Sequence, residues 1–269
     1  MVTEHTPGST TQPTPDPLAR FRAEDLDVAM ADASRKQGVV TPMFDVIAPR
    51  YDAFTRLFSF GMDAVWKREL TDAVVARSGS ASRALDVACG TGDLGFALVS
   101  QLPTLHVTGV DPSSEMLALA KDRARSQAEG RVTFHLGDFA ALPADTASID
   151  VLTAGYGFRN VPDLEAAVRE CARVVKPGGT LGSLDFFLPT NAVWRAFFLW
   201  YLRMSGNIVG WWWHRTPAIY GYIARSIASF VTADQFTAML ERHGFRVVQT
   251  RRMLLGGTAL HIAVRERAA

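Results

Sequence analysis

The spacing of apolar residues changes period repeatedly along this chain, and the changes lay out its elements. Short runs of strand length occur at Arg83–Asp86, Leu105–Val110, Arg131–Leu136, Ile149–Ala154 and Thr180–Asp185. Helical spacing separates them, over Gly92–Gln101, after Pro112-Ser113 with Ser113 or Ser114 as cap, and over Leu164–Val174. Lys176-Pro177-Gly178-Gly179 is predicted as a turn before the fifth strand. Strand and helix alternate five times, which predicts an α/β fold with a doubly wound parallel sheet. After a helical stretch from Ala192 to Trp213 and another over Thr232–His243, capped by Thr232 or Asp234, two strand patterns close the chain at Phe245–Arg251 and Thr258–Val264.

Upstream, Pro42–Ala48 has helical spacing and stops before Pro49, which a helix interior would not tolerate. Glu24–Arg35 holds a weaker helical pattern, and Met1–Pro17, rich in Thr, Pro and Ser, has almost nothing to bury. The chain therefore reads as a disordered or weakly helical tail, 1–38, and one domain, 39–269, large enough to need no disulfide or metal staple.

Chemistry enters at the first strand–helix junction. Gly90-Thr91-Gly92 follows the strand and opens a helix, the arrangement by which α/β sheets build a nucleotide site at their carboxyl edge. A side chain at 90 or 92 would oppose positive φ or close ligand approach. Gly90 to Gly95 formally reads G-x-G-x-x-G, and Asp111 lies about 20 residues on, which fits a dinucleotide. Asp86 and Asp93 flank the turn, however, and would repel a pyrophosphate while favouring a cation. S-adenosylmethionine carries an ammonium and a sulfonium and no phosphate, so charge favours it over a dinucleotide. A turn needed only for chain reversal is the third reading.

Other residues collect at the same edge. Asp111, at the tip of the second strand, suits a pair of ribose hydroxyls, and Asp138 with Phe139 suits the amine and ring of adenine, although an acid there can equally cap a helix. The glycine-relieved loop Gly155–Asp163 carries Arg159 and Asn160. Phe44, Tyr51, Phe54, Phe58, Phe60 and Trp66 form either a lid over an apolar substrate or packing for helices, with Tyr51, beside a charged pair, suited to a site. His261 lies among alternating apolar residues and reads as structural.

Composition narrows the classes. Twenty-eight Lys and Arg against 27 Asp and Glu give +1, so no global field attracts nucleic acid. Cys89 and Cys171 make neither a disulfide framework nor a metal-ligand spacing, which suits reduced thiols, and no secretory signal opens the chain. The expected location is cytoplasmic, extending to the inner face of the membrane. In Ala192–Trp213, Arg195 and Arg203 interrupt an apolar run far below the ~20 residues of a membrane span. The stretch is then a buried helix, or a wall or interfacial surface for lipid with Trp211-Trp212-Trp213 at headgroup level. Three adjacent tryptophans cannot all face one core, which favours the lipid reading.

The order of strand, glycine turn, second-strand acid and closing strand pair resembles the class I S-adenosylmethionine-dependent methyltransferases. Closer still, Met43-Phe44, Arg50-Tyr51-Asp52, Ser59-Phe60-Gly61, Trp66-Lys67-Arg68, Gly157–Val161, Lys176–Gly179 and Tyr222 with Ser226-Ile227 resemble the ubiquinone/menaquinone biosynthesis C-methyltransferases. Thr55, Asp185 and the stretch 228–231 depart from that pattern. The resemblance implies a seven-stranded sheet, mostly parallel with an antiparallel final strand, plus helical N-terminal and substrate-lid segments. It implies C-methylation of a polyprenylated hydroquinone, typically demethylmenaquinol, with S-adenosylmethionine as cofactor and no metal. By resemblance, Gly90, Thr91, Gly92, Asp111, Asp138, Phe139 and Gly155 hold the cofactor, and Tyr51, Arg159 and Asn160 meet the quinol head. There Arg159 is expected to stabilise a forming phenolate, Asn160 to orient it and Tyr51 to bond the ring oxygen, with Asp185 as a reserve base. The partners expected are the lipid quinol and a peripheral membrane contact, with room for a homodimer.

Overall fold

Seven strands, β1 (Arg83–Val87), β2 (His106–Asp111), β3 (Val132–Leu136), β4 (Ile149–Gly155), β5 (Val175–Phe186), β6 (Phe245–Met253) and β7 (Thr258–Arg265), form one sheet in the order β3-β2-β1-β4-β5-β7-β6. They belong to a computed structural model that describes residues 33–50, 53, 55–56, 59, 61–127, 130–214 and 218–267. β1 to β5 pair in parallel, and β7 runs antiparallel to both neighbours, β5 and β6. The expected sheet, with its antiparallel closing strand, is the one observed.

Eight α-helices are described: α1 (Ala33–Ile47), α2 (Met62–Val75), α3 (Asp93–Gln101), α4 (Ser114–Gln127), α5 (Leu164–Val174), α6 (Ala192–His214), α7 (Ala218–Ala228) and α8 (Ala233–Arg242). Central strands covered on both faces must be apolar on both, and β1 is buried at every position after Arg83. One face receives α2 and α3 through Trp66, Leu70, Val74, Leu94 and Leu98. The other receives α5 and α8 through Val168, Cys171, Phe236 and Leu240. A third cluster joins α1, α6 and α7, with Met43, Phe198, Leu202 and Tyr222 among its buried members.

Local chemistry sets the helix starts. Ser113 Oγ accepts from Met116 N at 3.1 Å, so Ser113 rather than Ser114 caps α4. Thr232, not Asp234, caps α8 in a reciprocal box with Gln235.

Three expectations change. α1 begins at Ala33, inside the stretch assigned to the tail, and runs through Pro42, which forgoes the bond its N–H would make to the turn before. Lys176–Gly179 is not a turn between elements. The β4–β5 ladder passes from Ile149↔Val175 to Val151↔Thr180, so these four residues bulge from one continuous strand, with Gly178 at φ 84°. Tyr220–Ile227, left without an element by its pattern, lies in α7. Residues 1–32 and the aromatic positions 51, 54, 58 and 60 lie outside the described residues.

Candidate functional site

The strand order reverses between β1 and β4, and at such a switch point an α/β sheet opens a crevice beyond its carboxyl ends. A cavity lies here, lined by Gly90, Asp111, Asp138, Phe139, Gly155 and Asn160, all expected at the site, together with Val40 and Phe44 of α1. Its lining joins backbone and carboxylates from the glycine side to a wall that includes Met116, Tyr156, Val161 and Ala167.

The turn is built for close approach. Gly90 and Gly92 have φ of 52° and 89°, and a Cβ placed on Gly90 would meet no atom within 4 Å, so that backbone faces open space. Gly90 N donates to Asp111 Oδ2 at 2.8 Å, and Ser113 N donates to Oδ1 at 2.9 Å. Asp111 is 7% exposed, and burial pushes its carboxyl up to about 6 despite both donors. Ser113 Oγ also donates to Asp45 Oδ1 at 2.6 Å, tying α1 to the same turn.

The two acids that flank the turn do other work. Asp93 pairs with Lys67 at 2.9 Å and Arg123 at 2.7 Å, and does not line the cavity. Burial pushes its carboxyl up, but Lys67 and Arg123 outweigh that and hold it low. Asp86 is fully enclosed, accepting from Gly95 N at 3.1 Å and Thr153 Oγ1 at 2.9 Å, and burial raises it to about 7. The negative charge facing the cavity therefore comes from Asp111, Asp138 and Asp163 rather than from Asp86 and Asp93. A cation is still favoured, for a different set of residues.

Asp138 Oδ1 accepts from Ala140 N at 2.7 Å and lines the cavity, so its capping role and its place at the site coexist. Phe139 both lines the cavity and packs on Phe158, ring centroids 4.7 Å apart. Thr91 is buried, and its carbonyl accepts from Arg123 Nη1 at 3.0 Å.

The 3-10 turn Phe158–Asn160 carries the expected substrate side. Asn160 reaches the cavity; its Nδ2 donates to Tyr156 O at 3.2 Å and its Oδ1 accepts a short hydrogen bond from Tyr222. Arg159 lies behind that wall. Its Nη1 donates to Asp185 Oδ1 at 2.9 Å and Tyr156 O at 3.0 Å, its backbone N to Asp185 Oδ2 at 3.1 Å, and both side chains are buried. Tyr51 lies outside the described residues.

Sequence reasoning named Tyr222 only as part of the family resemblance and gave no role to it or to Tyr156. Nothing local marks Tyr222, which reaches Asn160 across 62 positions. Tyr156 holds φ 60°, rare for a side-chain-bearing residue, where β4 hands over to the loop. His261 is enclosed by Phe187 and Phe236, and burial pushes it down to about 4, which keeps it neutral and structural.

Comparison with known proteins adds the following. Residues 30–265 match the ubiE/COQ5 methyltransferase family. The demethylmenaquinone methyltransferase of Lactobacillus johnsonii is 33% identical over 234 residues, covering 85% of this chain and 93% of its own. The ubiquinone/menaquinone biosynthesis C-methyltransferase UbiE of Geobacter sulfurreducens is 33% identical over 238 residues, 88% of this chain and 92% of its own. Among solved structures, geranyl diphosphate C-methyltransferase of Streptomyces coelicolor, in complex with Mg2+, geranyl diphosphate and S-adenosyl-L-homocysteine, superposes with TM-score 0.58 at 12% identity over 75% of this chain and 79% of its own. A chain of the Haloferax volcanii complex between the Trm112 activator and a methyltransferase gives 0.60 at 19%, over 83% and 98%. At such identities these two structures speak for the fold alone.

Proposed function

Because this chain belongs to the ubiE/COQ5 methyltransferase family, we propose that it is an S-adenosylmethionine-dependent C-methyltransferase of respiratory quinone biosynthesis, acting on demethylmenaquinol. The observation that carries the reading is the cavity itself, where an open glycine turn and the buried carboxylate of Asp111 meet an apolar wall at the switch point of the sheet. Those residues fit the cofactor. Gly90 leaves room for close approach, Asp111 presents a carboxylate for ribose hydroxyls, Asp138 and Phe139 suit the adenine, and Gly155 lines the floor beside Tyr156, where a Cβ would lie 3.0 Å from Leu94. The bound cofactor supplies an electrophilic methyl group on a sulfonium, whose departing thioether is neutral and needs no acid.

What the protein must do is hold a ring carbon in line and make it nucleophilic. Ionising the neighbouring hydroxyl pushes electron density onto that carbon. Asn160, oriented by Tyr222 and Tyr156, has a second amide hydrogen to give to the ring oxygen. A fixed donor at a forming oxyanion contributes about 3 kcal/mol. Arg159, engaged by Asp185, acts on the phenolate through the turn it anchors, as a positioning residue. Tyr51 is assigned to the ring oxygen or to relaying its proton through water. Tyr156, Val161 and Ala167 keep the site dry, and confinement near 3–3.5 Å supplies much of the remaining acceleration.

The test is direct. Purified protein with radiolabelled cofactor and short-chain demethylmenaquinol should place label in the lipid and give a new ring-methyl proton signal. A methoxy signal instead would assign O-methylation. Tight cofactor binding with no label in any quinol would leave a binding scaffold and refute the enzyme reading.

A further inference from the structure

The outer face of α6 is apolar along its whole length. Val193, Phe197, Trp200, Met204, Ile208 and Trp211 are 44–82% exposed. At 100° per residue these six fall within an arc of about 80°. Phe198 and Leu202 point the other way, into the cluster shared with α1 and α7. The helix thus has two apolar faces, and among the described residues only the inner one is covered. Isolated exposed apolar residues are ordinary, whereas a contiguous stripe marks an interaction surface.

A second feature extends the stripe. Between β6 and β7, Leu254 and Leu255 both hold φ 50°, a left-handed conformation that side-chain-bearing residues adopt at a cost, and Leu255 is 75% exposed. Trp194 Nε1 donates to Leu254 O at 2.9 Å, which fixes this tip beside the first turn of α6, and Trp194 packs on Phe197 at 5.5 Å.

We propose that the outer face of α6 and the Leu254–Leu255 tip dock the protein onto an anionic lipid surface, with α6 lying in the plane of the interface. Charge selects this occupant. From Ala192 to His214 there is no Asp or Glu, while Arg203 is exposed on one flank of the stripe. A helix that paired with a second copy would be expected to carry both signs along its edges. Tryptophans and an arginine around an apolar stripe with no acid on its helix instead suit anionic headgroups and the acyl boundary. No described helix is long and apolar enough to cross a membrane, so the contact lies along the surface. The covered face of α6 belongs to the cluster around Val40, and Val40 also lines the cavity. One helical layer thus separates the docking face from the site. The proposal rests on the quinol reading only for what is delivered, not for the surface.

The test uses the full chain with vesicles of phosphatidylcholine alone or mixed with phosphatidylglycerol, scored by co-sedimentation and tryptophan emission. Binding to the anionic vesicles, a blue shift and weakening by salt are expected. The Phe197→Glu/Ile208→Glu variant and, separately, Leu255→Glu should weaken partition by about tenfold or more. Both should keep the wild-type melting midpoint and methyl transfer to a soluble short-chain quinol. Absence of wild-type binding to anionic vesicles, or equal binding by wild type and both variants, would overturn the proposal. So would a wild-type dimer in light scattering that Phe197→Glu/Ile208→Glu converts to a monomer with vesicle binding unchanged. Vesicle binding with no methyl transfer to any quinol would sustain the surface and refute the proposed function.

Discussion

Asp86 and Asp111 stand at the ends of neighbouring strands, and enclosure raises both, to about 7 and about 6. The unfolded chain would hold each near 3.8, so the folded protein binds these protons more tightly than the unfolded one. Their contribution to stability therefore falls as pH climbs from about 4 and reaches its full penalty above about 7. A cationic ligand in the cavity is favoured by Asp111 in its ionised form and should bind better as pH rises through about 6. We expect the dissociation constant for S-adenosylmethionine, measured by calorimetry, to fall between about pH 5 and pH 7. The melting midpoint of the ligand-free protein should carry an opposing contribution from the same groups. Asp111→Asn removes the charge and should cost about 10- to 100-fold in cofactor affinity, the worth of a charge-assisted hydrogen bond. Unchanged affinity in that variant would remove Asp111 from the site.

At the scale of elements, two junctions set where the site can be. The first is the contact of α2 with the sheet. A Cβ on Gly182 would lie 2.6 Å from Val74 and 3.1 Å from Leu70, so the helix sits where only glycine lets it. Gly182→Ala should destabilise by about 1–3 kcal/mol through overpacking. At this chain length that lowers the melting midpoint by about 2–4 °C per kcal/mol, with little change in cofactor affinity. The second is the anchoring of the 158–160 turn on β5 by Arg159 and Asp185. Arg159→Ala leaves a buried carboxylate alone and should cost about 3–5 kcal/mol. Arg159→Met/Asp185→Leu should recover most of that stability by replacing the pair with apolar volume. Turnover should stay low in both, because Asn160 loses the support of its neighbour. Full turnover in the stable double variant would show that the pair has no part in positioning.

For the whole molecule, the cofactor and the fold are linked by mass action. A ligand that binds only the folded chain stabilises it by about 2.7 kcal/mol at a hundredfold excess over its dissociation constant. That predicts a rise of about 5–10 °C in melting midpoint with S-adenosylmethionine or its demethylated product, and none with NAD. A shift with NAD alone would return the glycine turn to the dinucleotide reading. Much of this organisation was legible in the chain because it is local. Five strand–helix alternations, the Gly90–Gly92 turn, the cap positions to within a residue or two and the acid ending β2 each depend on residues a few positions apart, where period and backbone chemistry decide the outcome. The carboxylates facing the cavity were not legible in this way. Asp93 was read as facing a ligand, yet Lys67 and Arg123, 26 and 30 positions away, claim it. Arg159 was read as touching substrate, yet Asp185 draws it behind the wall, and Tyr222 enters from a helix that its own pattern did not announce. The sequence by itself determined the sheet and the glycine turn, since those follow from short-range geometry. Only the tertiary structure decided which charged groups pair with one another and which face the cavity, because ion pairs and burial depend on distances that the fold, and not the spacing along the chain, creates.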